Sequence, residues 1–383
     1  MKKVLALLLA ALLVFGLVAC TTTPSPTPAP PVDATPTPAA PDTGTGWEGT
    51  PIALVTDYGT IDDESFNQGS WEGVLAFVGR TAIPHQYIQP PAVSTAAYID
   101  SIELAIRDGA QIVVTPGFLF REAIYEVQEM FPEIKFVLLD AVPRPEGGSP
   151  ADDYVAQNTV AVLYAEEQSG FLAGYAAVME GHRSLGFMGG VAVPAVVRFG
   201  HGFVEGAEHA AQQLGLEAGE VTIRFTYVGT FNQDPVVQTM AAAWYDDGIE
   251  VIFAAAGGAG LSVMAAADMS PAGLVIGVDV DQSHHSERVI TSALKDLRSS
   301  VATVLDYFFN GEFPGGEIKI FDAAIHGVGL PMETSRFQYF TQAQYDAIFA
   351  QLADGSIIVS TDISSPDPLI VLAMELVTVT FIG

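Results

Sequence analysis

The chain has a single cysteine and few bases: 15 Lys and Arg stand against 45 Asp and Glu in 383 residues, a formal net charge of −30. One cysteine excludes a disulfide within the chain, so stability has to come from packing. CxxC and HExxH are both absent, and the adjacent pair His284 and His285 is not expected to converge as ligands, so no metal and no cofactor are predicted. The shortage of Lys and Arg argues against nucleic acid as a partner, because phosphate binding needs clustered cations. GxSxG is missing, and no Ser/His/Asp order at strand ends suggests a nucleophile. Gly257, Gly258 and Gly260 precede a helical pattern, but their spacing fits neither GxGxxG nor GxxxxGK[ST].

What is present begins with an export-type start. Lys2 and Lys3 precede an apolar segment from Val4 to Val18, and Leu17-Val18-Ala19-Cys20 resembles a lipobox. The apolar run is short for a membrane span, which favours a signal peptide. A lone cysteine can be a core residue or a free thiol, but at this position lipidation of Cys20 is the expectation. Residues 21–47 are rich in proline and threonine and lack apolar periodicity. They read as an extended tether, with a glycosylated stalk as the competing idea.

From Trp47 onward strand-like and helix-like segments alternate, and the length exceeds what one core usually supports. Strands are predicted at 111–115, 135–139, 184–188, 222–228, 251–255 and 274–278. Helices are predicted at 121–131, 164–180, 204–214, 236–245 and 342–352. This rhythm implies parallel sheets flanked by helices. A further strand is expected at 356–360. The apolar tail beyond Ser364 reads as a core strand, a partner contact, a departure at the chain's end or, weakly, a membrane span.

The most informative stretch is IALVTDYGTIDDESFNQGSWEGVLAF, residues 52–77. A buried-type strand, Ile52 to Val55, leads through a polar loop to a helix that Ser65 is placed to cap. In open α/β sheets ligands bind at strand carboxyl ends, where this loop would sit. Asp62 and Asp63 read as solvated or loop-capping. TDYGTIDDESFNQGSWEG resembles the signature of the basic membrane protein family, lipid-anchored substrate-binding proteins of ABC transporters that include purine nucleoside receptors. The similarity runs from about Ile52 to at least Leu330, and IGVDVDQ at 276–282 resembles a second family motif.

The resemblance implies an α/β, two-lobed, type I periplasmic-binding-protein-like fold with each lobe a parallel sheet. The expected layout is a signal peptide over 1–20, a tether over 21–47, lobe 1 from 48–158 and 296–326, and lobe 2 from 159–295 and 327–383. It also implies the site. Asp57 and Asn67 would hydrogen-bond a base on which Phe66 stacks, with a core role for Phe66 as the alternative. Phe231 would close an aromatic sandwich from the other lobe, with Phe199 as the alternative. Asp140, at the end of FVLLD, is a candidate for a base or ribose contact, against a helix N-cap. Phe118 and Phe120 are candidates for the cavity mouth, and Gly257 would let backbone approach a ribose. Asp279, with Asp281 in reserve, would grip ribose hydroxyls, and Lys295, one of five lysines, would reach the same sugar. The predicted function is a membrane-anchored, extracytoplasmic receptor, not an enzyme, that delivers a nucleoside to an ABC transporter permease. A sugar- or autoinducer-type binding protein is the nearer rival, and a nucleoside hydrolase using paired acids the remoter one.

Overall fold

The computed structural model describes residues 49–57 and 59–382; the signal segment, Cys20 and the tether region lie outside the described residues. The chain first alternates β1 (Ile52–Val55), α1 (Phe66–Thr81), β2 (His85–Ile88), α2 (Thr95–Arg107), β3 (Ile112–Pro116), α3 (Arg121–Met130), β4 (Lys135–Leu139) and β5 (Thr159–Tyr164). It continues through α4 (Glu166–Met179), β6 (Ser184–Gly189), α5 (Pro194–Leu214), β7 (Val221–Tyr227), α6 (Pro235–Asp246), β8 (Val251–Phe253), α7 (Ala259–Met269), β9 (Leu274–Asp279) and β10 (Val289–Lys295). After these come α8 (Leu297–Phe309), β11 (Ile318–Phe321), β12 (Val328–Gly329), α9 (Gln342–Ala353), α10 (Pro368–Val371) and β13 (Val377–Ile382).

The strands form two sheets, one in the order β11-β5-β4-β3-β1-β2 and the other in the order β12-β10-β9-β8-β6-β7-β13. All pairings are parallel except the two-residue β12, which runs antiparallel to β10. The central strands of each sheet are buried on both faces, as parallel sheets require, while the edge strands β2, β11 and β13 are partly exposed. In β1, Ile52 and Leu54 pack with Val74 and Phe77 of α1 on one side, while Ala53 and Val55 face Tyr98 and Ile102 of α2 on the other. The second sheet is covered likewise, with Phe187 and Phe253 against Phe203 of α5 and Ile252 against Trp244 of α6.

Helices α4 and α5 approach at backbone distance. A side chain at Gly170 or Gly174 would meet the backbone of Phe199 or Phe203, and one at Gly202 or Gly206 that of Glu167 or Phe171. Small residues spaced four apart on both helices thus permit a contact no larger residue allows.

Several expectations need correction. Thr159–Tyr164 pairs with β4 and belongs to the first sheet, so the first crossing between sheets follows Tyr164 rather than residue 158, and the helix begins at Glu166. Helix α5 starts ten residues before Val204, at Pro194, a residue suited to a first helical turn. Residues 356–360 are not a strand. Ile358 is exposed, and the Ser360 N–H donates to Glu205 at 3.0 Å instead of to a ladder. The apolar tail contains an edge strand rather than a core one: β13 pairs with β7 and buries Val377 and Val379, and Glu208 accepts the Leu376 and Val377 N–H groups that enter it. No helix among the described residues is long and apolar enough to cross a membrane.

Candidate functional site

The carboxyl ends of the strands from both sheets converge on one cavity of about 310 Å³, within the range of small-ligand pockets. Asp57 follows β1, Asp140 follows β4, Gly257 follows β8, Asp279 ends β9 and Lys295 ends β10. All five line the cavity, together with Phe66, Asn67 and Phe231, so the structure brings every predicted ligand-contact residue to one place. Phe199 and Phe118 line it as well. Phe120 does not: it is fully buried against Tyr98, with ring centroids 4.3 Å apart. Val193, Val196, Asn232 and Gln233 complete much of the second lobe's wall.

Asp140 and Asp279 occupy matching positions at the carboxyl end of a central strand of each sheet, Asp140 directly after β4 and Asp279 as the last residue of β9, and both have left-handed backbone (φ 61° and 66°). Such a conformation is costly for a non-glycine residue and marks positions held by their surroundings. Both carboxylates converge on Lys295. Its Nζ donates to Asp140 Oδ2 at 2.5 Å and lies 3.7 Å from Asp279 Oδ1. Glu166, at the start of α4, brings a third carboxylate to 3.2 Å. The rings of Phe66, Tyr164 and Phe199 surround the same ammonium at 4.7, 5.4 and 5.4 Å, within cation–π range. Behind this group Arg198 Nε sits 3.0 Å from Glu166 and 3.8 Å from Glu167. Four acids and two bases are therefore packed together where almost no solvent reaches.

Burial pushes the Asp140 carboxyl up to about 7 although Lys295 opposes it, and Asp279 is raised for the same reason. Glu167 is pushed up to about 7 by burial and by Glu166 beside it. Burial alone would lower the Lys295 ammonium, but the three carboxylates more than reverse that, and its pKa is raised. Asp140 Oδ1 is buried with no hydrogen-bond partner. An orphaned acceptor in a cavity is an expensive group unless a ligand hydroxyl or amine supplies the donor.

The loop after β1 is fixed by a carboxylate–amide lattice. Asn67 Nδ2 donates to Asp57 Oδ1 at 2.9 Å and to Asp63 Oδ2 at 2.8 Å, and its Oδ1 accepts the Asp57 N–H at 3.3 Å. Both amide hydrogens are thus committed, so Asn67 faces a ligand as an acceptor only. Gly117, with φ 121°, leaves room for Asp57, which any side chain there would strike. Asp63 is the loop's cap, accepting the N–H groups of Ser65, Asn67 and Gln68, each at 3.0 Å, while Asp62 is exposed. Ser65 stands at the predicted capping position, yet its hydroxyl crosses to the other lobe and donates to Asp279 Oδ2 at 2.5 Å.

The motif at 276–282 separates its two aspartates. Gln282 pins the turn: its Oε1 accepts the Val278 N–H at 3.0 Å and its Nε2 donates to the Glu64 carbonyl at 2.7 Å. Asp279 faces the cavity, whereas Asp281 turns away to accept from Thr334 Oγ1 at 2.6 Å and the Ser283 N–H at 3.0 Å. Glu166, Arg198 and Ser65 are the site residues that sequence reading did not assign. Glu166 follows β5 as Asp140 follows β4, and recognising that strand would have exposed it. His284 and His285, expected not to converge as ligands, do come together. Their ring centroids are 3.9 Å apart, and both approach Glu64.

Two helix-flanked parallel sheets that turn their strand ends toward one shared cavity are the architecture of type I periplasmic binding proteins. A solute-binding protein of an ABC transporter system from Aeropyrum pernix K1 has this fold, with a TM-score of 0.70 at 21% identity over 82% of this chain and 94% of that one. The family described as "ABC transporter substrate-binding protein PnrA-like" matches residues 51–363, and the chain belongs to it. The "ABC transporter nucleoside-binding protein BmpA" of Lactococcus lactis subsp. cremoris is 27% identical over 74% of this chain and 82% of its own length. "Basic membrane protein A1" of Borrelia garinii subsp. bavariensis is 27% identical over 80% and 87%. The resemblance read from residues 52–77 and 276–282 therefore holds. Members of this family are extracytoplasmic substrate-binding proteins rather than enzymes, which sets the hydrolase alternative aside.

Proposed function

We propose that the chain is a lipid-anchored receptor that closes on a nucleoside, by preference a purine nucleoside, and hands it to the permease of an ABC transporter. One feature carries the reading. Aromatic rings from both lobes, Phe66 and Phe231 with Phe199 beside them, share a cavity with Lys295 and the paired carboxylates Asp140 and Asp279. Flat rings suit a base, and carboxylates suit neighbouring ribose hydroxyls. Asp140 Oδ1, buried without a donor, is an acceptor of the kind a hydroxyl satisfies. An anionic phosphate has no cluster of cations to meet, because Lys295 is already shared among three carboxylates. The nucleoside-binding relative from L. lactis supports the same ligand class. The mechanism needs no bond-breaking chemistry. Closure of the lobes expels water and completes the contacts.

Calorimetry should give inosine or guanosine a Kd of about 1 μM or tighter, about −8 kcal/mol. The corresponding monophosphates should bind at least about tenfold more weakly, a gap of about 1.4 kcal/mol. Tighter binding of free ribose or of a monophosphate overturns the reading. For the anchor, mass spectrometry of the mature amino-terminal peptide should find lipid on Cys20, and an unmodified first peptide on wholly soluble protein would refute it.

A further inference from the structure

Outside the cavity, one cluster of metal-type ligands is assembled across the seam between the lobes. Glu64 comes from the loop between β1 and α1 of the first sheet, and His284 and His285 from the loop between β9 and β10 of the second. One ligand atom from each lies within 4.8 Å of the others. His285 Nε2 is 3.0 Å and His284 Nε2 3.8 Å from Glu64 Oε2. A tetrahedral zinc ion with bonds of about 2.0–2.1 Å spaces its ligand atoms roughly 3.3–3.4 Å apart, between those two distances.

Two further observations point the cluster at a ligand. His285 Nε2 is buried and has no hydrogen-bond partner, although Glu64 Oε2 is within reach, so the nitrogen is not aimed along that line. Glu64 is held in place by its backbone from both lobes. Its N–H donates to Gln68 Oε1 at 3.2 Å, its carbonyl accepts from Gln282 Nε2 at 2.7 Å, and its φ is 56°. The carboxylate is thus presented to the histidines by a fixed backbone rather than by a free surface side chain. Asp281, oriented by Ser283 and Thr334, adds negative charge near His284.

We propose that Glu64, His284 and His285 form a site for a divalent transition-metal ion of the zinc class that ties the two lobes together beside the ligand cavity. Two imidazoles and one carboxylate are a zinc ligand set that leaves a fourth position for water. The same set discriminates against magnesium, which prefers oxygen ligands in octahedral geometry. Because the ligands come from both lobes, the ion would favour the closed arrangement over any in which the loops part.

The test titrates zinc chloride into the untagged, chelator-stripped chain by calorimetry, with no nucleoside present, so that the result is independent of the ligand assignment. Saturable binding of one zinc per chain is expected, with no matching magnesium binding. The double variant His284→Ala/His285→Ala should lose at least tenfold in zinc affinity. Since His284 is exposed and His285 half-buried, a matching thermal melt without zinc serves as the folding check. Glu64→Gln should also lose at least tenfold, because it removes the ligand from the opposite lobe. Absence of saturable zinc binding, equal magnesium binding, or unchanged zinc affinity in the double variant overturns the site. Unchanged affinity in Glu64→Gln overturns the bridge.

Discussion

Replacing Lys295 with methionine removes the ammonium that Asp140, Glu166 and Asp279 share at 2.5, 3.2 and 3.7 Å, while keeping nearly the same volume. Removing one partner of a buried ion pair costs about 3–5 kcal/mol, because the remaining charge is stranded in a medium that solvates it poorly. Here the stranded groups are carboxylates, which gives the deficit a pH signature. In the wild type burial already raises Asp140 to about 7, well above the ordinary carboxyl range. A carboxyl raised on folding contributes most to stability below its unfolded pKa, and that contribution is lost as pH rises through the folded value. Without Lys295 the Asp140 and Asp279 carboxyls rise further, so Lys295→Met should be close to wild type near pH 5 and worst near pH 8. For some 330 described residues, an unfolding entropy of about 0.7 kcal/mol/K converts the loss to a drop in Tm of about 4–7 °C at pH 8. Scanning calorimetry at pH 5 and pH 8 measures both. Adding Asp140→Asn to the variant should restore about 1 kcal/mol or more at pH 8, since it removes one stranded charge. A Lys295→Met protein as stable as wild type at pH 8, or equally impaired at both pH values, would refute the account of the cluster.

Three more outcomes follow from the same geometry. Phe66→Ala and Phe231→Ala should each weaken inosine binding by about 1–3 kcal/mol, the scale of a lost base–aromatic stack, and calorimetry showing neither change removes both rings from the ligand's contacts. Asp279→Ala should abolish discrimination between inosine and its 2′,3′-dideoxy analogue, whereas Asp281→Ala, which turns toward Thr334, should keep it. Gly206→Ala should destabilise the fold by at least about 1–3 kcal/mol in urea titrations, because the added methyl meets the backbone of Phe171, and a loss under about 0.5 kcal/mol contradicts the packing.

The sheets were largely legible because buried parallel strands such as Phe136 to Leu139 are short apolar runs with punctuation on either side. Thr159–Tyr164 escaped since it leads into α4 across a single residue, which leaves no turn residues to separate strand from helix. The first half of α5 was hidden by Gly200 and Gly202, which lower helix propensity locally. The eight cavity residues were readable from strand-end position together with family motifs, yet their mutual wiring was not. Nothing in a chain of one-letter codes says that the Ser65 hydroxyl spans 214 positions to Asp279 rather than capping its own helix. Adjacent histidines likewise look divergent at helix or strand spacing, and only the irregular turn after Gln282 lets their rings meet.

The glycine-paired helices α4 and α5 have a consequence for how this protein can drift in sequence. In an ordinary core a residue that grows can be accommodated when its neighbour shrinks, so paired changes wander together over time. At Gly170, Gly174, Gly202 and Gly206 that exchange is closed. Each glycine is already the smallest residue, and what it touches is the partner's main chain, which no substitution makes smaller. Glu166 and Glu167 stand on the first turn of α4, and Arg198 and Phe199 on the second turn of α5, next to that contact. The charge cluster behind the cavity is therefore referenced to an interface with no compensating moves, while the Asn232–Gln233 loop lines the cavity away from that contact. Relatives that take different solutes should differ first in that loop and last in the helix pair.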